Sequence, residues 1–271
     1  MNNTAASGYV IYGANNASIF IESSKISSHG SYRKKLKARY SFINSRKTNF
    51  SHFDFEDGIN PNVGGNVMPR KLARHKVLMN ARSVNNKFLA AVIHIVQSNL
   101  LVQNTAIQNN SGLVIEMEKR SSVSAQFCNF TNNFDVILMV GSSLKVTSCH
   151  FSSQKDNVIF QQYGILTIIN STFVENSGIV LFIQQGTVFV HNSTFKRNMY
   201  KCTDLGCSGS AIYLYGSSGS PSVYIFNSKF LYNSALTHGG AIGAISLREL
   251  ALDQVVFIGN HAKEMGNTIY L

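Results

Sequence analysis

The chain has 271 residues, of which 44% are hydrophobic, and 24 Lys or Arg against 13 Asp or Glu give it a formal net charge of +11. It contains no run of about 18 consecutive apolar residues, which excludes a transmembrane helix of ordinary length. We therefore predict one elongated soluble domain.

The first 30 residues contain one copy of a short pattern of three apolar residues and one small residue: Ile19, Ile21, Ser24 and Ile26. Its period of two predicts strands with one inward face. No basic and apolar leader follows Met1, so no signal peptide is visible. Residues 7–12 and 266–271 resemble interior strands rather than caps, and we therefore expect the sequence to be an excerpt of a longer β-helical protein or the product of an incomplete gene model.

Residues 31–76 fit no copy of the pattern, and we expect an irregular insertion between the segment 1–30 and a repeat region at 77–271. The insertion holds eleven Lys or Arg against three Asp or Glu, which leaves only +3 for the rest of the chain. A solvated loop is the favoured interpretation of such a charge block. Binding of an anionic glycan or an acidic cell-surface protein is the alternative, and no nucleic-acid-reading module accompanies the charge.

From residue 77 the pattern recurs, weakly at Val77, Met79 and Val84, and then seven times. Its last apolar residue, the anchor, recurs at spacings of 23, 21, 22, 22, 35 and 27 residues. The anchors are Ile107, Phe130, Phe151, Phe173, Phe195, Phe230 and Phe257. So short a period leaves no room for a crossover helix, so successive copies must stack in parallel. We predict an all-β fold, a right-handed single-stranded parallel β-helix of about nine coils and roughly 40 Å in length.

A carboxamide stands three residues after every anchor. The column consists of Asn110, Asn133, Gln154, Asn176, Asn198, Asn233 and Asn260. Asn tolerates the left-handed backbone of a sharp turn, and its amide can donate to one coil and accept from the other. We therefore predict an amide ladder along the stack.

The four cysteines form two pairs. Cys202 and Cys207 fall within the long spacing between the fifth and sixth anchors, and a short disulfide that pins this loop is favoured over two free thiols. Cys128 and Cys149 occupy the small inward position of adjacent copies, where we expect buried, unbonded thiols.

Seven Asn-x-Ser/Thr sequons indicate an exported protein. The candidate N-glycosylation sites are Asn129, Asn170 and Asn192. At Asn170 and Asn192 the period of two places both the Asn and the Thr two residues later, Thr172 or Thr194, on the outward face.

Residues 230–233 (FLYN) and 239–242 (GGAI) resemble the F-x-x-N and G-G-A-I motifs of the chlamydial polymorphic outer-membrane proteins. F-x-x-N recurs at 130, 173, 195 and 257, and altered forms of G-G-A-I begin at 209 and 266. The resemblance covers about residues 100–271. It implies a β-helical ectodomain that works in adhesion at the cell surface.

The rival class is a carbohydrate-active enzyme, because lyases, hydrolases and epimerases also use β-helices. Such chemistry needs convergent carboxylates. None of the 21 outward positions six, three and one before the anchors is Asp or Glu. The best remaining pair, Asp135 and Asp156, lies five after adjacent anchors and could share a cation or a proton, although turn formation is the favoured interpretation.

Neither a zinc-ligand pattern nor a nucleophile beside a base is marked by spacing, and His150 and His191 follow no ligand spacing. We predict no catalytic residue, metal or cofactor. The expectation is a non-enzymatic extracellular repeat domain that acts in adhesion or ligand display, with a purely structural spacer as a third alternative.

Overall fold

A computed structural model describes five early strands, at 11–13, 18–22, 25–27, 40–43 and 52–53, and then residues 91–200, 209–216 and 219–271. These residues form 28 β-strands. No helix among them is long and apolar enough to cross a membrane. All pairings between strands are parallel except two in the insertion.

The chain runs repeatedly around three faces. The first face consists of β1 (Ile11–Gly13), β6 (Ile93–Val96), β9 (Ile115–Glu118), β16 (Leu181–Ile183), β20 (Ile212–Tyr215), β24 (Ile242–Ser246), β28 (Ile269–Tyr270) and the first halves of β12 (Ile137–Thr147) and β14 (Ile159–Ile169). The second face consists of the other halves of β12 and β14 with β2 (Ser18–Glu22), β7 (Asn99–Gln103), β10 (Ser122–Gln126), β17 (Thr187–His191), β21 (Ser222–Phe226) and β25 (Glu249–Asp253).

The third face is an eight-stranded sheet that carries the anchors. It consists of β3 (Lys25–Ser27), β8 (Ala106–Gln108), β11 (Asn129–Thr131), β13 (His150–Ser152), β15 (Thr172–Val174), β18 (Thr194–Lys196), β22 (Lys229–Leu231) and β26 (Val256–Ile258). Three very short strands form a further sheet beside it: β19 (Met199–Tyr200), β23 (Ser234–Ala235) and β27 (His261–Ala262).

Seven turns of the chain separate the first strand of the third face from the last, about 34 Å at ~4.8 Å per turn. Counted by strands, the first face has nine and the third face eight, against about nine coils expected. Strand β3 pairs directly with β8, Ile26 opposite Ile107, so these two strands belong to adjacent coils. The coil expected at 77–84 lies outside the part of the chain that the structure describes.

The core is built from columns of like residues, as the pattern predicts. The anchor rings from Phe130 to Phe230 are fully buried and stack with centroids 4.5 to 4.8 Å apart and interplanar angles of 1° to 9°. Phe257 continues the stack at 5.1 Å. Such offset pairs add about 0.5–1.5 kcal/mol each beyond area burial. The prediction of one internal Phe column is confirmed.

Left-handed residues make the corners, but not at the carboxamides as expected. The positive φ lies one residue earlier, for example at Asn132 (53°) and Glu175 (55°), while Asn133 and Asn176 point inward. A second corner precedes each anchor by three residues, where Asn170 and Asn192 have φ near 50°. The side chain of the carboxamide is thus needed for hydrogen bonding rather than for the turn.

Strands β12 and β14 run without interruption from the first face to the second. Each bends at a glycine with positive φ, Gly141 (59°) and Gly164 (116°). A Cβ at Gly164 would collide with the backbone carbonyl of Ser142 in the coil below. The two continuous strands merge the first and second faces into one 17-stranded sheet.

Two short segments of the expected insertion form strands. Strand β4 (Tyr40–Ile43) pairs antiparallel with β2, and β5 (His52–Phe53) pairs antiparallel with β4. Strand β2 pairs with β7 along one edge, and the N–H and C=O groups of its other edge pair with β4. The rest of the insertion lies outside the described residues.

Candidate functional site

The carboxamides form a hydrogen-bonded column beside the third face, in which side-chain bonds run from Asn110 to Asn133 and from Asn176 to Asn260. Gln154 is joined to its neighbours through backbone N–H groups instead. Asn176 Nδ2 donates to Asn198 Oδ1 at 2.8 Å, and Asn198 Nδ2 donates to Asn233 Oδ1 at 2.9 Å. Each amide nitrogen also donates to the carbonyl of an anchor in the preceding coil, as Asn198 does to Phe173 at 3.1 Å. Equivalent bonds tie Asn110 to Asn133 at 2.7 Å and, at the other end, Asn233 to Asn260 at 3.0 Å.

The small inward residues form a second polar column. The hydroxyls of Ser171 and Ser193 donate to the carbonyl two residues earlier, at 2.9 and 2.7 Å, and accept the N–H of the coil before, at 3.1 Å. Cys128 and Cys149 are the thiol members of this column and are buried and unbonded, as expected. The disulfide expected between Cys202 and Cys207 falls outside the described residues.

The candidate glycosylation residues lie at the surface. Asn129 is exposed in β11, and Asn170 and Asn192 are exposed at the left-handed corners before β15 and β18. Their attachment atoms are therefore accessible in the folded protein, and their use remains a prediction.

The two stacked aspartates are close enough to influence each other. Burial, and then the charge of Asp156, raise the pKa of Asp135 to about 7, against a partial compensation by the backbone N–H of Asn157. Burial also raises the pKa of Asp156, although the same N–H donates to its Oδ1 at 2.9 Å. A pair of this kind holds a proton readily at neutral pH.

The second face carries an array of four partly exposed rings, here called the aromatic array: Phe189, His191, Tyr224 and Phe226. Phe189 stacks on Tyr224 with centroids 5.2 Å apart, and His191 stacks on Phe226 at 4.9 Å, both at an interplanar angle of 15°. The two pairs stand side by side, about 7 Å apart along the strands.

Charged and apolar residues surround the aromatic array on the same face. Tyr224 donates its hydroxyl to Glu249 Oε2 at 2.6 Å, and that hydrogen bond raises the pKa of Tyr224. Exposed Lys145 lies two coils from Phe189 in the same column, about 10 Å away. Ile165 is 50% exposed nearby.

The sequence predicted outward positions six and three before the anchor, and position six holds Phe189 and Tyr224, but His191 and Phe226 fall at neither position. Position three is a corner, and the second outward strand position is four before the anchor, where His191, Phe226 and Asp253 stand. The alternation Thr-Val-Phe-Val-His at 187–191 contains the signal that would have found the rings.

Parallel coils with columns of identical residues define the class of this protein, a single-stranded β-solenoid. The chain belongs to the family described as the right handed beta helix region, whose model matches residues 78–230, more than half of the chain. Comparison with curated proteins gave no match.

Proposed function

We propose that this protein is a non-enzymatic extracellular adhesion domain that binds a saccharide on its second face. The observation that carries the proposal is the aromatic array, where Phe189 and Tyr224 lie partly exposed on the solvent side of a regular sheet. Water-facing rings on a β-sheet lose part of the burial energy that an inward position would provide. A ligand that covers them recovers that energy.

The chemistry of the rings favours a saccharide. The face of an aromatic ring is electron-rich and attracts the weakly positive C–H groups that line one side of a pyranose. Tyr224 and its partner Glu249 add a hydroxyl and a carboxylate at the border, which suit sugar hydroxyls. Lys145 lies within reach of a uronate two sugar rings along a bound chain. We therefore propose the second face, and not the insertion, as the binding site for an anionic glycan.

The extracellular location rests on two further observations. The residues Asn129, Asn170 and Asn192 of three sequons are exposed. The F-x-x-N and G-G-A-I repeats resemble those of polymorphic outer-membrane proteins, whose β-helices act in adhesion. Both observations support a surface-exposed module of that repeat type.

Binding of the purified protein to arrayed neutral and uronic-acid oligosaccharides tests the proposal, followed by calorimetry on the strongest ligand. The double variant Tyr224→Ala/Phe226→Ala should weaken binding at least tenfold, about 1.4 kcal/mol. Phe182→Ala is the matched control, because Phe182 is also a partly exposed, ring-contacting residue but lies on the first face. Equal binding by the double variant and the parent would refute the aromatic array as the binding surface.

One observation favours an enzyme as the second candidate, the raised pKa of Asp135 beside Asp156. A carboxyl that is protonated near neutral pH is suited to general acid catalysis on a glycosidic bond. Turnover would appear as new reducing ends or unsaturated products from a uronic-acid polymer. Turnover by the parent that disappears in Asp135→Asn/Asp156→Asn would replace the adhesion proposal with the enzyme.

A further inference from the structure

A group of basic residues lies on the second face, on the side of the aromatic array that is nearer the early coils. Lys145 is exposed in β12, and Lys119 and Arg120 are exposed at the corner through which the chain enters β10, one coil earlier. We call these three residues the basic patch. The ion pairs between described residues include none of them. Glu118, which precedes the corner, lies against His94 on the first face at 3.6 Å.

The register of the sheet joins Lys145 to the aromatic array in one straight column. Thr167 lies opposite Lys145 on one side and opposite Phe189 on the other, and Phe189 lies opposite Tyr224. All four side chains alternate with buried neighbours along their strands, and they therefore project from the outward side of the sheet. At ~4.8 Å per coil, the column from Tyr224 to Lys145 is about 14 Å long.

The spacing of this column suits a saccharide that lies along the rod. A pyranose unit of an extended chain spans about the distance between two coils, ~4.8 Å. Two units therefore cover the rings of Tyr224 and Phe189, a third lies over the uncharged Thr167, and a fourth reaches Lys145. A chain of two units is too short to contact both the rings and the basic patch.

The opposite end of the column is acidic. Strand β25 pairs with β21 and sets exposed Asp253 opposite Phe226. Glu249, also exposed, accepts the hydroxyl of Tyr224 at 2.6 Å. A uronate beside these two carboxylates is repelled, whereas a uronate over Lys145 is attracted, and both effects act within about 8 Å at physiological ionic strength. The charges of the face therefore direct the acidic units of a bound chain toward the basic patch.

We infer, on the basis of the saccharide binding proposed above, that the second face binds a polyuronate of at least four units along the rod and in one orientation. Lys145 determines the preference for an acidic over a neutral chain. Lys119 and Arg120 extend that preference to longer chains, because they lie one coil beyond Lys145, and the guanidinium of Arg120 can hold a carboxylate through two N–H donors.

The test uses the full chain and oligomers of 1,4-linked galacturonic acid with two, four and six units, each beside its carboxyl-reduced, neutral counterpart. Calorimetry measures the dissociation constants. The acidic and neutral two-unit oligomers should bind equally. The acidic four-unit oligomer should bind about three- to fivefold more tightly than its neutral counterpart, the effect of one exposed ion pair, and the six-unit acid should gain more. High salt should remove these gains.

Lys145→Gln should abolish the preference at four units and leave the affinity for neutral oligomers unchanged. Lys229→Gln is the matched control, because Lys229 is an exposed lysine on a strand of the third face, and this variant should keep the preference of the parent. Asp253→Asn should strengthen the binding of acidic oligomers only.

The outcomes separate this inference from the proposed function. An acidic preference that is absent, that is equal at two and six units, or that persists in Lys145→Gln would overturn the inference. Neutral saccharides that still bind the parent and are lost in Tyr224→Ala/Phe226→Ala would then continue to support the proposed function. Failure of every saccharide to bind the parent would overturn both.

Discussion

Asn176 donates its side-chain Nδ2 to Oδ1 of Asn198 at 2.8 Å, while its own Oδ1 accepts the backbone N–H of Gln154 at 3.0 Å. One buried side chain therefore joins three successive coils. Asn198 and Asn233 repeat the arrangement, and the side-chain oxygens of Asn133 and Gln154 accept the backbone N–H of the coil before in the same way. The column therefore satisfies backbone groups at a corner where regular sheet pairing is interrupted.

The first prediction concerns this column. Asn176→Ala should lower the free energy of unfolding by roughly 1–3 kcal/mol, because the N–H of Gln154 and Oδ1 of Asn198 lose partners in a buried site. Chemical denaturation followed by circular dichroism measures the change. Asn99→Ala, at an exposed asparagine on β7, should change the midpoint little. An unchanged midpoint in Asn176→Ala would show that the column does not stabilise the fold.

The second prediction concerns pH and Asp135. Its pKa is raised to about 7 in the folded protein, above the value in the unfolded chain. The contribution of Asp135 to the free energy of unfolding is therefore fully present below about pH 4 and is lost as the pH rises toward 7. Asp135→Asn cannot ionise and keeps an acceptor oxygen for Asn157. The variant should match the parent at pH 4 and exceed it at pH 8 by on the order of 1–4 kcal/mol.

Melting temperatures at pH 4, 6 and 8 measure that difference. The gain of the variant should appear progressively between pH 4 and pH 7 and remain constant above it. A gain that is equal at all three pH values would assign the effect to packing instead of ionisation.

The third prediction concerns thiol reactivity. The hydrogen-bonded neighbour Cys128, together with burial, raises the pKa of the Cys149 thiol, so almost no thiolate is present at pH 8. Iodoacetamide should therefore alkylate Cys149 at least about a hundredfold more slowly in the native protein than in denaturant. Mass spectrometry of the peptide that contains Cys149 gives both rates, and similar rates would mean that this coil opens readily.

The fourth prediction uses the paired glycines before β24. A methyl group at Gly240 would overlap the carbonyl oxygen of Asn267 in the next coil, and neither backbone can move without breaking the stack. Gly240→Ala should therefore destabilise the protein by about 2 kcal/mol or more. Gly219→Ala is the control, since its Cβ would meet only the side chain of Gln185 at 3.4 Å. Equal stability of the two variants would contradict the steric explanation of the G-G-A-I motif.

Much of the fold could be predicted from the sequence because the corner before each anchor has constant length. Position seven before Phe130 and position seven before Phe173 are Val123 and Leu166, and both are buried at the same place in the coil. Aligning the repeats on their anchors therefore predicts the strands of both the second and the third face.

The first face was harder to predict from the sequence because the corner between it and the second face varies in length. Ile93 lies 14 residues before Ile107, but Ile115 lies 15 before Phe130, and Ile212 lies 18 before Phe230. An alignment on the anchors consequently shifts the register of β6 against β9, and the pairing of His94 with Glu116 is lost. The raised pKa of Asp135 could not be predicted from the sequence either, because burial at a corner depends on the coils above and below.

The longest spacing in the repeat leaves the core unchanged. Phe195 and Phe230 are 35 residues apart in the chain, yet their rings stack at 4.7 Å with an interplanar angle of 1°. Most of the additional residues fall between β19 and β20 in the chain, at the corner between the third and first faces. This corner is a natural position for grafting a foreign peptide, such as an epitope or an affinity tag, because the coils on either side keep their contacts whatever sequence is carried between them.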